Sequence, residues 1–292
     1  MDGKSPRTDL AVERLEIAGQ VLPQGVERQE AEKEGVKITS VRIGEAEAAR
    51  ILGKPEGTYI TLEVDKLGTN STNFEGEVTV VAEQLKPLLP SEGTVLVVGL
   101  GNSDITPDAI GPLAADTVLA TRHITGEIAE MAGLPGLRPV AVLAPGVLGQ
   151  TGMETAEIIA SVCRGIEPSA VIVVDALASK SVSRLGRTVQ ISDTGISPGS
   201  GVQNRRKELS QATLGVPVLS VGVPTVVDLQ TICHDLTAGK TAGQVPDEAE
   251  GMMVTPREID TLVEGAARTV AFAINHALQP SLSFEELTGL VS

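Results

Sequence analysis

From residue 77 onward, apolar runs recur along the chain at intervals that alternate with longer mixed segments. They are TVLVVGL (94–100), RPVAVLA (138–144), AVIVVDA (170–176), RTVQIS (187–192) and VPVLSVGV (216–223). Near-continuous Val, Leu, Ile and Ala is the pattern of strands buried on both faces. Between the first three runs lie PLAADTVLATRHI (112–124) and METAEIIASVCRGI (153–166), each long enough for a crossover helix. Thr151 and Glu154 have capping-box spacing ahead of the second. Such alternation predicts an α/β fold, a mostly parallel sheet with helices on both faces.

The chain before residue 77 reads differently. VKITSVRI and GTYITLEV are strand-like, and EAEAARILG between them predicts a helix stopped by Gly53. VERQEAEKEG, rich in Glu, is expected to be a solvated helix or loop. Three portions result: an N-terminal segment (1–13), a small α+β portion (14–76) and an α/β core with C-terminal helices (77–292). The last two are expected to pack as one unit. EVTVVAEQLKPLL predicts a helix up to Pro87. Residues 237–253 lack apolar periodicity and predict a surface loop. Thr255-Pro256-Arg257-Glu258 predicts a helix start with Thr255 as cap, the helix running to Leu278. Ser283-Phe284-Glu285-Glu286 opens a short terminal helix.

Composition narrows the function classes. Of 292 residues, 41% are hydrophobic and 21% charged, the profile of a folded globular chain. Aromatics number four, so the core must be built from aliphatic side chains. A formal net charge of −15 disfavours nonspecific binding to nucleic acid or anionic lipid. Cys163 and Cys233 form no CxxC pair, which fits buried thiols in a reducing compartment. The charged first thirty residues hold no signal-peptide core, and no apolar run approaches membrane-spanning length. An intracellular protein is expected.

Ligands of open parallel sheets bind beyond the carboxyl ends of the strands. The loop GNSDITPDAIGP follows the first apolar run, and three readings compete for it. Its G-x-G resembles part of a dinucleotide fingerprint, but Asp104 stands where the third glycine belongs, with the wrong charge for phosphate. A carboxylate pair is the second reading. Asp175 closes AVIVVD, where an acid after apolar residues is costly unless paired, hydrogen-bonded or functional. Asp108 lies in a loop stiffened by Pro107 and Pro112, and if the strands are neighbours the two acids meet. Two close carboxylates do not both ionise freely, so one can hold a proton while the other acts as base, or the pair can hold a metal. The third reading makes Asp175 a cap and Asp108 a turn residue, as acids commonly are. Asp193 and Asp228 are further acids after strands.

Other catalytic sets are thin. There is no G-x-S-x-G elbow among the serines, and His123, His234 and His276 lack ligand spacing. Cys163 falls in a helix pattern and reads as core. Arg205-Arg206-Lys207 reads as a solvated helix start, with contact to an acidic substrate as the alternative.

With these segments placed, the chain resembles the germination protease family. The resemblance is carried by RTDLAVE (7–13), VVGLGNSDITPDAIGP (97–112), APGVLGQTGMET (144–155) and VDALASKSVSRLGRTVQISDTGISPGSGV (174–202), then by VPVLSVGVPTVVD (216–228) and MVTPREID (253–260). It implies an α/β core similar to that of hydrogenase-maturation proteases. It also implies an atypical aspartic endopeptidase that degrades small acid-soluble spore proteins, with Asp108 and Asp175 as the essential aspartates; since no histidine lies in a strand-end loop here, water activated by the aspartate pair is expected, with no cofactor or metal. A homotetramer in the spore core is implied, with no nucleic acid or membrane as partner. Family precursors carry a prosegment ahead of RTDLAVE that self-cleavage removes; here MDGKSP precedes it, which leaves a trimmed chain or a very short prosegment. TDLAVE is similar to the acidic–apolar–Ala pattern the family cuts, so this segment is expected to mimic substrate. The alternatives are a metal-dependent processing peptidase, a catalytically silent scaffold that binds spore proteins, and a nucleotide-binding regulator.

Overall fold

The computed structural model describes residues 7–291, apart from 20, 69–70, 125, 132, 134–135, 198–206 and 237–250. α1 (Ala11–Ala18) leads into the hairpin β1 (Val26–Lys33) and β2 (Val36–Ile43); α2 (Ala46–Leu52) and β3 (Gly57–Glu63) follow. After α3 (Phe74–Leu85) come β4 (Val95–Gly99), a 3₁₀ turn over Thr106–Asp108, α4 (Ile110–Thr117) and α5 (Gly126–Met131). Next are β5 (Val140–Leu143), α6 (Leu148–Thr151), α7 (Thr155–Ile166), β6 (Ala170–Ser179) and β7 (Thr188–Ser192). The chain ends with α8 (Gln211–Leu214), β8 (Val218–Asp228), α9 (Leu229–Leu236), β9 (Met253–Val254), α10 (Ile259–Leu278) and α11 (Phe284–Val291).

Among the described residues nine strands form one sheet, ordered β1-β2-β3-β7-β8-β6-β4-β5 with β9 on β8. The expected α/β architecture is present. Strands β5, β4, β6 and β8 run parallel. The N-terminal strands extend the same sheet, because β3 pairs with β7 and β7 with β8, both antiparallel. RTVQIS therefore belongs to the antiparallel wing, although its apolar run looks like those of the parallel strands.

Strand alternation sends side chains to two layers. Val95, Val97, Ile172 and Val174 pack on one face with α3, α4 and α10. Leu96, Val98, Val171 and Val173 pack on the other with Ile159 and Cys163 of α7. Cys163 is thus core, as its helix position suggests, and burial pushes its thiol up. Phe272 of α10 meets Phe74 and Phe284 edge-on or tilted, with ring centroids of the three 5.7 to 6.1 Å apart, so three of the four aromatics form one cluster.

Several local expectations fail for identifiable reasons. VERQEAEKEG is strand β1, exposed along seven of its eight residues and held by pairing with β2 rather than by burial. Its alternating charges guard a sheet edge. Thr151 does not cap α7; it ends α6, and Glu154 precedes α7 without a side-chain cap. Thr255 does not cap α10, because its hydroxyl donates to the Thr225 carbonyl at 2.9 Å. The helix at 112–124 stops at Thr117, since the Leu119 N–H is taken by the Asn275 side chain at 2.9 Å. Ser283 and Glu286 open α11 as expected, through a capping box: the Ser283 N–H donates to Glu286 at 2.7 Å and the Glu286 N–H to Ser283 at 3.2 Å. No helix among the described residues is long and apolar enough to cross a membrane.

Candidate active site

β6 outruns β4. Pairing between them ends at Gly99 and Val174, although β6 continues to Ser179. Asp175 is therefore the first residue past the paired stretch and lies within a strand, rather than ending one. Beyond it, the edge of β6 that faced β4 is open to other parts of the chain. A cleft of about 500 Å³ lies over this edge and the adjoining face of the sheet, and Asp108 and Asp175 both line it.

Asp108 reaches the cleft through a tightly built loop. The Leu100 N–H donates to the Val174 carbonyl at 2.8 Å, which delivers the chain beside Asp175. Gly101 then turns at φ +117°, and a Cβ there would stand 1.9 Å from the Asp108 carbonyl oxygen, so only glycine fits. The Asn102 N–H donates to Asp108 Oδ2 at 2.8 Å. The Thr225 hydroxyl holds the Pro107 carbonyl at 2.8 Å, tying the loop to β8. From APGVLGQTGM, the Gln150 amide donates to Asn102 Oδ1 at 2.8 Å and to Asp104 at 3.2 Å. Asp104 is thus a turn residue on the outer side of the loop.

Asp175 is 6% exposed, and its Oδ1 accepts the N–H of Ala176 at 2.9 Å. Asp175 pairs with Gly222, and Gly222 with Gln190. Those three residues form one cross-strand row and share a face. The next row toward the start of β8 places Ser192 opposite Ser220, with Tyr59 opposite Ser192. The floor of the cleft is therefore polar, while the opposite face of the same strands carries Ile60, Ile191 and Val221 into the core.

The N-terminal segment crosses the cleft. The Asp9 N–H donates to the Ala178 carbonyl at 2.9 Å, and the Ala178 N–H donates to Asp9 Oδ2 at 2.9 Å. Lys54 Nζ and Gln190 Nε2 donate to the Asp9 carbonyl at 2.7 and 3.0 Å. Leu10 is fully buried with Val12, Leu177 and Ile196. Arg7 pairs with Asp228 at 2.9 Å, so Asp228, the buried last residue of β8, serves as an anchor for this segment. Glu13 is buried, accepts from the Thr8 hydroxyl, and receives the N–H groups of Lys180 and Ser181 at 2.6 and 3.0 Å.

Burial sets the electrostatics. Desolvation holds the Lys54 ammonium below the usual lysine range; Asp9 opposes that and Arg14 adds to it. Burial pushes the Tyr59 hydroxyl up to about 12, so it stays a neutral donor to the Pro55 carbonyl at 2.9 Å. Burial also raises Glu13, against hydrogen bonds from Thr8, Lys180 and Ser181 and the charge of Arg184, which lower it.

The other sequence candidates lie elsewhere. Asp193 accepts the Thr58 N–H at 2.7 Å and acts as a turn residue. His276 is half-buried on α10, with its pKa lowered by burial. Lys207 pairs with Glu157 at 2.8 Å on the surface. Arg205, Arg206, the 237–250 stretch and the side chain of His234 lie outside the described residues. Among the described residues, no three His, Cys, Asp or Glu side chains come together in a way that could hold a metal ion. Sequence reasoning missed Lys54 and Gln190. A glutamine at the centre of TVQIS was the available signal, a polar side chain in an otherwise buried strand; Lys54 gave none.

A profile of the germination protease family matches residues 9–238. The chain is 40% identical to a germination protease of Clostridium tetani, over 99% of this chain and all of that one. It is 40% identical to one from Caldanaerobacter subterraneus (98% of each chain) and 38% identical to one from Priestia megaterium (96% and 95%). Among solved structures, the [NiFe] hydrogenase maturation protease HycI of Thermococcus kodakarensis aligns with 65% of this chain and 98% of that chain. Identity there is 18% and the TM-score 0.36, too slight to carry an argument.

Proposed function

The chain belongs to the germination protease family, a family of peptidases, and on that premise we propose that it cleaves small acid-soluble spore proteins in the spore core by aspartate-activated water. What supports the mechanism is that Asp108 and Asp175, from a 3₁₀ turn and a strand far apart in sequence, line one cleft at the strand ends. An assembly into homotetramers is part of the same proposal, by resemblance to the family.

One aspartate takes a proton from water as its oxygen adds to the substrate carbonyl carbon, and the carbonyl π pair moves onto oxygen. The C–N bond then breaks with its pair going to nitrogen, which takes a proton from the other, protonated aspartate. The products are a carboxylic acid and an amine. Because neighbouring acids titrate as a coupled pair, the two roles belong to the pair rather than to one named residue. Spore substrates of the resembled family are largely disordered when free of DNA, and an extended segment of one suits the edge of β6 that Asp9 takes here.

The test is incubation with a purified small acid-soluble spore protein, with and without chelator, beside Asp108→Asn and Asp175→Asn. Chelator-resistant cleavage that both folded variants lose supports the aspartate pair. Cleavage abolished by chelator and restored by metal replaces it with a metal peptidase, and binding without cleavage replaces it with a silent scaffold.

A further inference from the structure

We infer that Lys54 and Gln190 form a carbonyl-binding pair, which holds and polarises the carbonyl of the peptide bond that the cleft hydrolyses. The inference rests on the hydrolytic function proposed above and adds two residues to it.

The Asp9 carbonyl supplies the geometry. It accepts from an ammonium at 2.7 Å and from a side-chain amide at 3.0 Å, within the cleft that holds Asp108 and Asp175. Two donors on one carbonyl oxygen, one of them charged, are what stabilises the oxyanion that forms when water adds. Neither donor is loosely placed. With the N-terminal segment in place, the Gln190 Oε1 accepts the Ala11 N–H at 2.7 Å while its NH₂ points at the Asp9 carbonyl, and an extended peptide offers the same carbonyl and N–H two residues apart. The Lys54 ammonium lies 5.9 Å from the centre of the Tyr59 ring, and the following residue, Pro55, gives its carbonyl to the Tyr59 hydroxyl. Among the described charged residues that line the cleft, Lys54 is the cation; Asp9, Asp108, Asp175 and Glu208 are acids.

The register links this pair to the proposed catalytic acids. Gln190 and Asp175 share a row and a face, with Gly222 between them. Strand spacing puts their Cα atoms about 10 Å apart, a gap that a peptide group and a water molecule can span. An extended peptide that displaces the N-terminal segment and takes the edge of β6 at Ala178, as Asp9 does here, presents its carbonyl to Lys54 and Gln190. As water adds, the carbonyl π pair moves onto the oxygen they hold. It returns when the C–N bond breaks, so neither donor is consumed.

Two readouts on the full chain test the pair. With a small acid-soluble spore protein as substrate, Lys54→Met and Gln190→Leu should each lower kcat by roughly 10²- to 10³-fold while KM stays within about threefold. Lys54→Arg should retain more activity than Lys54→Met. Independently of turnover, the ¹³C resonance of the Asp9 carbonyl should move upfield in both variants, since each removes one donor. Thermal unfolding checks that the variants fold; if Lys54→Met does not, Lys54→Leu, which also removes the donor, is read in its place. An Asp9 resonance unmoved by either substitution overturns the pair whatever the activity. A moved resonance with kcat within about threefold of wild type, or with only KM raised, overturns the catalytic assignment. Wild-type protein that cleaves nothing, with a resonance sensitive to both substitutions, leaves the carbonyl site standing and overturns the hydrolytic function instead.

Discussion

Asp175 and Gln190 face each other across Gly222, in one row of a sheet whose other face is the aliphatic core. The relation depends on the middle strand having no side chain at that point. A Cβ on Gly222 would stand 2.5 to 2.8 Å from the branched end of Leu177, itself buried. Gly222→Ala should therefore cost about 1–3 kcal/mol of stability through overpacking. It should also lower kcat by pushing apart the two sides of the cleft. Urea unfolding and steady-state kinetics on one preparation check both.

Gln150 bonds the side chain of Asn102, whose N–H holds Asp108, and it is largely exposed. Gln150→Ala should leave the melting temperature nearly unchanged. On the proposed mechanism it should still lower kcat by roughly 10- to 100-fold, because a small misplacement of Asp108 would then be costly. A drop in melting temperature with unaltered kcat would mean that the loop holds Asp108 without Gln150.

Glu13 carries the attachment of the N-terminal segment to the turn after β6. A glutamine cannot accept from both the Lys180 and Ser181 N–H groups with its two ends, so Glu13→Gln should cost about 1–3 kcal/mol. The cost should depend on pH. Burial raises the folded pKa of Glu13 above its unfolded value, so the folded state binds this proton more tightly. Its contribution is then greatest below the unfolded value and is lost as pH rises through the folded one. The stability gap between wild type and Glu13→Gln should shrink from acid toward neutral pH, as urea titrations across that range will show.

Arg7 neutralises Asp228, which is 2% exposed. Removing one partner of a buried pair leaves an uncompensated charge, at about 3–5 kcal/mol. Arg7→Ala should lower stability by up to this amount, the loss being reduced if the segment lifts and lets water reach Asp228. Hydrogen exchange at the amides of Asp9 and Ala178, which bond to each other's chain segments, should then accelerate ahead of the core strands.

The run of residues fixed a good deal of this protein by local rules. Val, Ile and Leu at successive positions required buried strands, so β4, β5, β6 and β8 were legible, as were α2, α3 and the capped α11. The acids Asp108 and Asp175 stood out because a carboxylate beside a buried strand is costly. Where pairing rather than burial makes the element, the sequence was silent: β1 is a strand only because β2 lies beside it, and β7 is antiparallel only because of its neighbours. Thr151 and Thr255 have the chemistry of caps, but other carbonyls and turns claimed them. The placing of Asp108 and Asp175 in one cleft, and of Lys54 and Gln190 at the Asp9 carbonyl, came from strand order and register. Those depend on contacts between residues from 32 positions apart (Gln190 and Gly222) to 181 (Gln190 and Asp9), and no local periodicity encodes such distances.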